Sequence, residues 1–470
     1  MKVYLETFGC QMNRLDSELV IGALCAAGHE LVAGCKDADA VLYNTCSVRR
    51  HAEQKVHSRL GADGRRKSEK SDLIVGVLGC MAQREGEQLL KQYSHVNFVC
   101  GPGQLYRIGE MIELAANGGR VAGLDPSRSQ EPDLAAEGEM DLLDLSRDPT
   151  NPVANRSQAF VRVMRGCDNF CSYCIVPFVR GRERSRDPSH IVEETRRLVE
   201  AGRGEITLLG QTVNRYRWSA GDVTVRFSDL LRKVSEIPSL RRLRFITSHP
   251  LSFTDDIFEA MRDLPNVCQY IHCPAQSGSD AVLKRMRRGY SRADYDRFVD
   301  RARAMVPEAV LAGDFIVGFP GETAEDHLAS KDLIFRSGYK NSFIFKYSPR
   351  PGTLAARNFP DDVPLAVKRS RNAELLSAQK KVSLSHHQAY IGKSVEVLVE
   401  GPSVRSRKHP SEMQPGSSQL VGRTAGDHIV VFDGPSSLAG QYLFVKVIEA
   451  TSLTLFGELP GAVRATPGSS

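Results

Sequence analysis

The sequence predicts a multidomain α/β protein: an open parallel α/β sheet domain at the N-terminus, a partial (β/α)6 barrel in the middle and a small OB-like β-barrel at the end. Three observations carry this expectation. Strand-like apolar runs alternate with helix-period segments over residues 3–116 and again over 160–347, an alternation that builds parallel sheets. After His387 the helical period gives way to five short β-like runs separated by Gly and Pro. The 470 residues, 41% hydrophobic and 25% charged, are too many for one ordinary core and have the composition of a globular chain.

No apolar run approaches the roughly eighteen residues of a membrane span. The opening Met1-Lys-Val-Tyr-Leu-Glu-Thr-Phe-Gly9 has no apolar signal core, so a cytoplasmic protein without a membrane partner is expected. Eleven cysteines, an odd number, argue for metal ligands among buried thiols rather than a disulfide scaffold. The net charge of +6 says little alone, but its distribution says more. Residues 162–186 hold six arginines (162, 165, 180, 182, 184 and 186) against Asp168 and Glu183, whereas 124–148 hold eight acids against Arg128 and Arg147.

In the first domain, residues 1–118, strands are expected at 3–10, 40–46, 73–80 and 96–100, with helices at 13–27, 49–66, 84–92 and 104–116. Cys10, Cys46 and Cys80 then each fall at the carboxyl end of a strand, the edge where open α/β sheets place ligands. From the residues alone, three buried strand thiols are as good a reading as three metal ligands. Cys25, Cys35, Cys100, Cys268 and Cys273 are not so placed and read as ordinary thiols.

Residues 119–158, rich in Gly, Pro, Ser and acids, read as a linker. The central domain, 159–383, offers strands at 160–166, 205–210, 242–247, 268–273, 310–318 and 341–347. Helices are expected near 188–201, 227–235, 254–263, 291–305 and 323–336. Its first strand runs into Gly166-Cys167-Asp-Asn-Phe-Cys171-Ser-Tyr-Cys174, and three thiolates so close can converge in one loop. No fourth Cys or His follows at zinc-finger spacing, so an iron–sulfur cluster with one uncovered iron fits better than structural zinc. Polar groups follow the later strands: Gly210-Gln-Thr-Val-Asn214, Thr247-Ser-His-Pro250, Pro274-Ala-Gln-Ser-Gly278 and Gly313-Asp-Phe-Ile-Val-Gly-Phe-Pro-Gly-Glu322. Each could equally be a turn. The run Arg180-Gly-Arg-Glu-Arg-Ser-Arg186 is either a solvated face or a holder of phosphates, a carboxylate or a protein partner.

In the last domain, 384–458, strands are expected at 394–400, 420–424, 428–432, 442–448 and 453–457. The basic stretch Gly401-Pro-Ser-Val-Arg-Ser-Arg-Lys-His409 suits a phosphate backbone, with Arg405, Arg407 and Lys408 as RNA contacts. Residues 459–470 read as a disordered tail.

The three-cysteine loop, with Tyr173 before its last Cys, resembles the signature of radical S-adenosylmethionine (SAM) enzymes. Thr7-Phe-Gly-Cys-Gln-Met-Asn-Arg-Leu-Asp-Ser-Glu18, Asn44-Thr-Cys-Ser-Val-Arg49 and Gly79-Cys-Met-Ala-Gln83 resemble the N-terminal motifs of the methylthiotransferases, and 384–458 resembles a TRAM RNA-binding domain. The resemblance covers nearly the whole chain and is strongest to the MiaB-type branch acting on isopentenyl-adenosine beside the anticodon of tRNA. It implies two [4Fe-4S] clusters, one on Cys167, Cys171 and Cys174 that cleaves SAM to a carbon radical, and one on Cys10, Cys46 and Cys80 that presents sulfur. It also implies that Tyr173, Gln211, Gln276 and Asp314 contact SAM, and that the partners are a tRNA anticodon stem-loop, an electron donor and a sulfur source or iron–sulfur carrier, the enzyme itself being a monomer. Thr212 stands where the family usually has Asn, and Cys273-Pro-Ala-Gln276 where it usually has Leu-Pro-Val-Gln. Three rivals stay open: a threonylcarbamoyl-adenosine tRNA enzyme, a ribosomal-protein enzyme, and a non-enzymatic iron–sulfur RNA-binding protein.

Overall fold

The computed structural model describes residues 1–47, 50–126, 134–149, 157–408 and 418–460, apart from the side chains of 50, 51, 134 and 408. The chain divides into two compact units: 1–240 with 245–247 and 348–360, and 241–244 with 248–347 and the segment from 361 onward.

The first unit is built on a parallel sheet. Strands Lys2–Thr7, Ala40–Thr45 and Ile74–Gly79 lie side by side at its centre, with Glu30–Leu31 at one edge and Phe98–Cys100 and Val121–Gly123 toward the other. Both central strands after the first, AVLYNT and IVGVLG, are buried at every residue, the composition a parallel sheet covered on both faces demands. Helix Gln11–Ala26 covers one face through Val20 and Leu24, while Val56 and Leu60 of helix Arg50–Glu69 cover the other. The edge strand Val121–Gly123 lies beyond the expected boundary at 118. Its three residues are too short a run to show periodicity, so composition alone marked them as linker.

The expected linker also contains helix Leu134–Leu145. Its acids reach the arginines near the cysteine loop: Glu137 pairs with Arg184, Asp141 with Arg165, and Asp144 with Arg162. The opposite charge blocks of the sequence are therefore one ion-pair network rather than a spacer and a free basic face. The first barrel strands, Gln158–Arg162 and Glu205–Leu209, pair in parallel in this unit. Phe160 and Leu209 pack with Met12, Leu15 and Leu19 of the N-terminal helix. An unanticipated hairpin, Arg217–Ala220 with Val223–Arg226, turns at Gly221, whose φ of +54° suits a two-residue turn.

In the second unit, Tyr270–His272, Val310–Val317 and Asn341–Lys346 form a parallel sheet. Strands therefore stand at all six expected barrel positions, Arg242–Ile246 crossing the division between the units. The five expected helices are also present, as Pro188–Glu200, Phe227–Ser235, Asp255–Asp263, Arg292–Met305 and Ala324–Ser337. The last three helix starts are capped or acid-rich; Ser291 and Thr323 make capping boxes with Asp294 and Asp326. The C-terminal strands Ser394–Pro402, Ser418–Arg423, Ile429–Gly434, Leu455–Glu458 and Tyr442–Ala450 close into a barrel in that order. Its core is Val397, Val399, Leu420, Val430, Phe432, Val445, Val447 and Leu455. Arg242 and Arg244 donate to the carbonyls of Arg423 and Thr424, fixing the barrel to the rest of the second unit. Among the described residues no helix is long and apolar enough to cross a membrane.

Candidate iron–sulfur and SAM site

Register places the N-terminal cysteines together. Thr7 is paired with Asn44, and Thr45 with Gly79, so the three central strands end level. Cys10 then caps helix Gln11–Ala26, and Cys80 begins helix Cys80–Glu85. Cys46 and Cys80 are buried and Cys10 is half-buried. The backbone folds tightly to allow this. Gly79 has a φ of +87°, and a Cβ there would meet Asn44 Oδ1 at 2.4 Å and the Thr45 carbonyl at 2.7 Å; at Gly9, φ +144°, it would meet the Cys46 Cβ at 2.8 Å.

Asn13 and Asn44 lock the three ends. Asn13 Nδ2 donates to Asn44 Oδ1 and the Thr45 carbonyl, both at 3.1 Å, and Asn44 Nδ2 donates to the Asn13 carbonyl at 2.8 Å. The Cys46 thiol hydrogen-bonds to the Cys10 sulfur, which brings the Cys10 pKa down to about 6; burial opposes the shift and Arg180 assists it. Cys80 is pushed up by burial, against the pull of Arg180.

The second set lies in the loop after Gln158–Arg162. Cys167 and Cys171 are buried, Cys174 half-buried. Gly166, φ +69°, approaches so closely that a Cβ would lie 1.9 Å from the Arg182 carbonyl. Cys167 Sγ is 3.7 Å from Thr212 Oγ1, which also accepts from Asn169 Nδ2 at 3.2 Å. Burial raises the Cys167 pKa. The two sets approach each other within the first unit: Cys80, Ile175 and Val179 form one buried cluster, Ile175 following Cys174 directly. Arg180, one residue past Val179, donates to Asp16 Oδ2 at 2.7 Å and lies close enough to Cys80 and Cys10 to be held cationic by them and Asp16 against burial.

Six soft thiols in two sets of three, packed behind glycines whose missing Cβ makes the room, fit iron–sulfur clusters by donor chemistry. Among the described residues no three His, Cys, Asp or Glu groups are placed to share a single metal ion. Thiolates on separate irons of one cluster stand wider apart than the ligands of one ion.

Three family models match the chain: Uncharacterized protein family UPF0004 over residues 2–101, Radical SAM superfamily over 161–334, and TRAM domain over 388–459. A tRNA-2-methylthio-N(6)-dimethylallyladenosine synthase of Rhodopirellula baltica is 46% identical over 97% of this chain and 95% of the relative. The enzymes of that name from Bacteroides thetaiotaomicron and Syntrophotalea carbinolica are 43% and 41% identical over 97% of this chain, 96% and 99% of theirs. The chain belongs to the tRNA-2-methylthio-N(6)-dimethylallyladenosine synthase family. Among solved structures, the radical SAM methyltransferase TsrM from Kitasatospora setae, with cobalamin and a [4Fe-4S] cluster bound, shares the fold: TM-score 0.53, 14% identity, 76% of this chain and 77% of that one.

As a radical SAM member of this synthase family, the chain uses SAM and a [4Fe-4S] cluster. Tyr173 is half-buried within the cysteine loop. In the first unit, Gln211 adjoins the Cys167 contact Thr212, and its buried Oε1 has no partner among the described residues. In the second unit, Gln276 and Asp314 are neighbours: the backbone N–H of Gln276 donates to the Asp314 carbonyl at 2.7 Å, and the side-chain Gln276 Oε1 is likewise buried with no partner among the described residues. His272 Nε2, 3.1 Å from Asp314 Oδ1, joins them. Sequence reasoning passed over this histidine because nothing separates it from a strand residue until its neighbour is known. Thr212, Asn13, Asn44 and Asp16 fell inside the segments the sequence singled out, but only as parts of motifs, with no role of their own.

In the TRAM region Arg405 and Arg407 are exposed on the short helix Val404–Lys408, within the basic stretch expected to meet a phosphate backbone. The Ser403 hydroxyl accepting from the Ser406 amide explains that helix, as a local cap. The Lys408 side chain lies outside the described residues, as does His409. Cys100 and Cys273 are buried thiols whose pKa burial raises, as expected of inert cysteines.

Proposed function

We propose that this chain adds a methylthio group to carbon 2 of isopentenyl-adenosine beside the anticodon of tRNA, using two SAM molecules and two [4Fe-4S] clusters. One cluster rests on Cys167, Cys171 and Cys174, the other on Cys10, Cys46 and Cys80. The observation that carries the reading is identity of 46% along 97% of the chain to an enzyme named for that product. The packing of Cys80 against Ile175 supports it independently, since sulfur and radical must reach one base.

An aromatic C–H at carbon 2 is not acidic and carries no leaving group, so proton transfer and nucleophilic attack cannot open it. The bound clusters supply a SAM-derived carbon radical and a transferable sulfur. The chain's own residues hold and orient. Asn13 and Asn44 fix the three strand ends, and Thr212 contacts the thiol of Cys167, which would hold the radical-generating cluster. Arg180 keeps a positive charge beside Cys80 and Cys10, which favours their thiolate form. Tyr173, Gln211, Gln276 and Asp314 hold SAM, and Arg405, Arg407 and Lys408 hold tRNA phosphates. Such an enzyme works as a cytoplasmic monomer with an electron donor and a sulfur source or iron–sulfur carrier.

Mass spectrometry of tRNA nucleosides checks the assignment. A strain lacking its own enzyme and carrying this gene should regain 2-methylthio-isopentenyl-adenosine. Recovery of 2-methylthio-threonylcarbamoyl-adenosine instead, or of neither, would contradict it.

A further inference from the structure

The first unit contains a cavity of about 380 Å³, linked to the cysteines through its lining residue Arg180, which lies close to Cys80 and Cys10. Arg165, Arg180, Arg184, Arg186, Arg217 and Trp218 all face it. Its volume is at the small end of ligand pockets, which span about 300–1,000 Å³. Trp218, the only tryptophan of the chain, is half-buried on the hairpin Arg217–Ala220. The hairpin is fixed against the arginines by two hydrogen bonds. The Arg217 amide donates to Ser185 Oγ at 3.0 Å, and the Tyr216 hydroxyl donates to the Arg186 carbonyl at 2.8 Å.

The arginines are held but not used up. Arg165 Nη2 pairs with Asp141 and Asp144, and Arg186 Nη1 with Glu194, yet Arg165 Nε and Arg186 Nη2 are buried without hydrogen-bond partners among the described residues. Arg217 is exposed and makes no ion pair among the described residues. A planar guanidinium keeps further N–H donors after pairing with one carboxylate, in the fork that suits phosphate oxygens. An indole face beside such forks suits a nucleobase attached to that phosphate.

The geometry points to this cavity as the subsite for one unpaired nucleotide flanking the modified base, with its base stacked on Trp218 and its phosphate held by Arg217 and the free donors of Arg165 and Arg186. This rests on the tRNA reading above and adds a second RNA contact, separate from the C-terminal barrel. Arg180 lies between the cavity and Cys80, so a loop nucleotide seated here would lead its neighbour toward the cysteines.

Because Trp218 is alone, the emission of the protein reports the contact. Anaerobically reconstituted full chain is titrated with an anticodon stem-loop RNA carrying isopentenyl-adenosine, and tryptophan emission is followed beside the anisotropy of labelled RNA. Emission should be quenched along the same curve as binding. Trp218→Ala should weaken RNA binding about ten-fold or more, and Trp218→Phe, which keeps a ring, much less. Arg217→Gln should weaken binding and lower the salt slope by about one. RNA that binds and is methylthiolated while emission stays constant, or a Trp218→Ala protein that binds like the parent, would overturn the subsite and leave the function intact. RNA that quenches emission but is never methylthiolated would overturn the function and leave the subsite. Quenching by a fully paired duplex to the same extent as by the loop would also overturn the assignment to an unpaired nucleotide.

Discussion

Arg162 heads the fully buried side chains by volume, with 1% of its surface exposed. Its guanidinium meets Asp144 through Nε at 3.1 Å and Nη2 at 2.6 Å, and Asp16 through Nη1 at 3.0 Å. Asp16 in turn receives Arg180. Burial pushes the Asp144 carboxyl up, but Arg162, Arg186 and Arg165 together hold it well below the usual carboxylate range. Truncating one partner leaves buried charge uncompensated, which costs about 3–5 kcal/mol. Arg162→Ala should lose about that much stability in urea unfolding, and a loss under about 1 kcal/mol would contradict the network. A carboxyl with a depressed pKa stabilises above its unfolded value of about 3.9, so this contribution fades as pH falls below that value. The sequence showed the two opposite charge blocks that hold Asp144 and Arg162 but not their pairing, nor the part of Asp16. Cys167, Cys171 and Cys174 stood out because three thiols so close are a rare local pattern, whereas Cys10, Cys46 and Cys80 stood out only by their place at strand ends and by resemblance; a long-range ion pair has no local pattern.

At the scale of elements, the strands were readable where period and composition agreed. The six barrel strands and the five strands of the C-terminal barrel stand at their expected places, within a few residues at their ends. What escaped were elements held by tertiary partners: the helix Leu134–Leu145, tied down by arginines, and the hairpin carrying Trp218. The end of helix Leu365–Gln388 is another such contact. His386 Nε2 lies 2.9 Å from His428 Nε2 on the C-terminal barrel, the rings stacked with centroids 5.1 Å apart, and His387 Nδ1 lies 2.7 Å from the Thr451 carbonyl. Lys340, paired with Asp427, adds positive charge nearby. Burial lowers the His386 pKa to about 4 and that of His428 to about 2. The unfolded histidines take up protons near pH 6.5 and the folded ones do not, so stability should fall as pH drops from about 6.5 toward 4. Denaturation midpoints of the parent and of His428→Asn across that window check this. The parent should lose stability on acidification and the variant should lose less; equal slopes would contradict the pairing.

For the whole molecule, the order of the parts was readable from one end to the other, because three distinct local motifs follow one another: strand-end cysteines, a cysteine loop on a barrel strand, and a short-stranded barrel. The matches over 2–101, 161–334 and 388–459 fall in the same order. The division into two compact units was not readable, since it passes through a barrel strand and gathers residues 348–360 with the N-terminal sheet. There Arg350 pairs with Glu53 at 3.1 Å, and the Ala355 amide donates to the Ser172 carbonyl within the cysteine loop at 2.7 Å. One compact unit thus holds all six cysteines, and the proposed function requires them to carry two clusters independently. Iron content with electron paramagnetic resonance, on anaerobically reconstituted protein, tests this most directly. The parent should hold about eight irons per chain, while Cys10, Cys46 and Cys80 changed together to Ala, or Cys167, Cys171 and Cys174 changed together, should each leave about four with one reduced-cluster signal. A parent with only about four irons, or either triple variant keeping the full complement, would contradict the account.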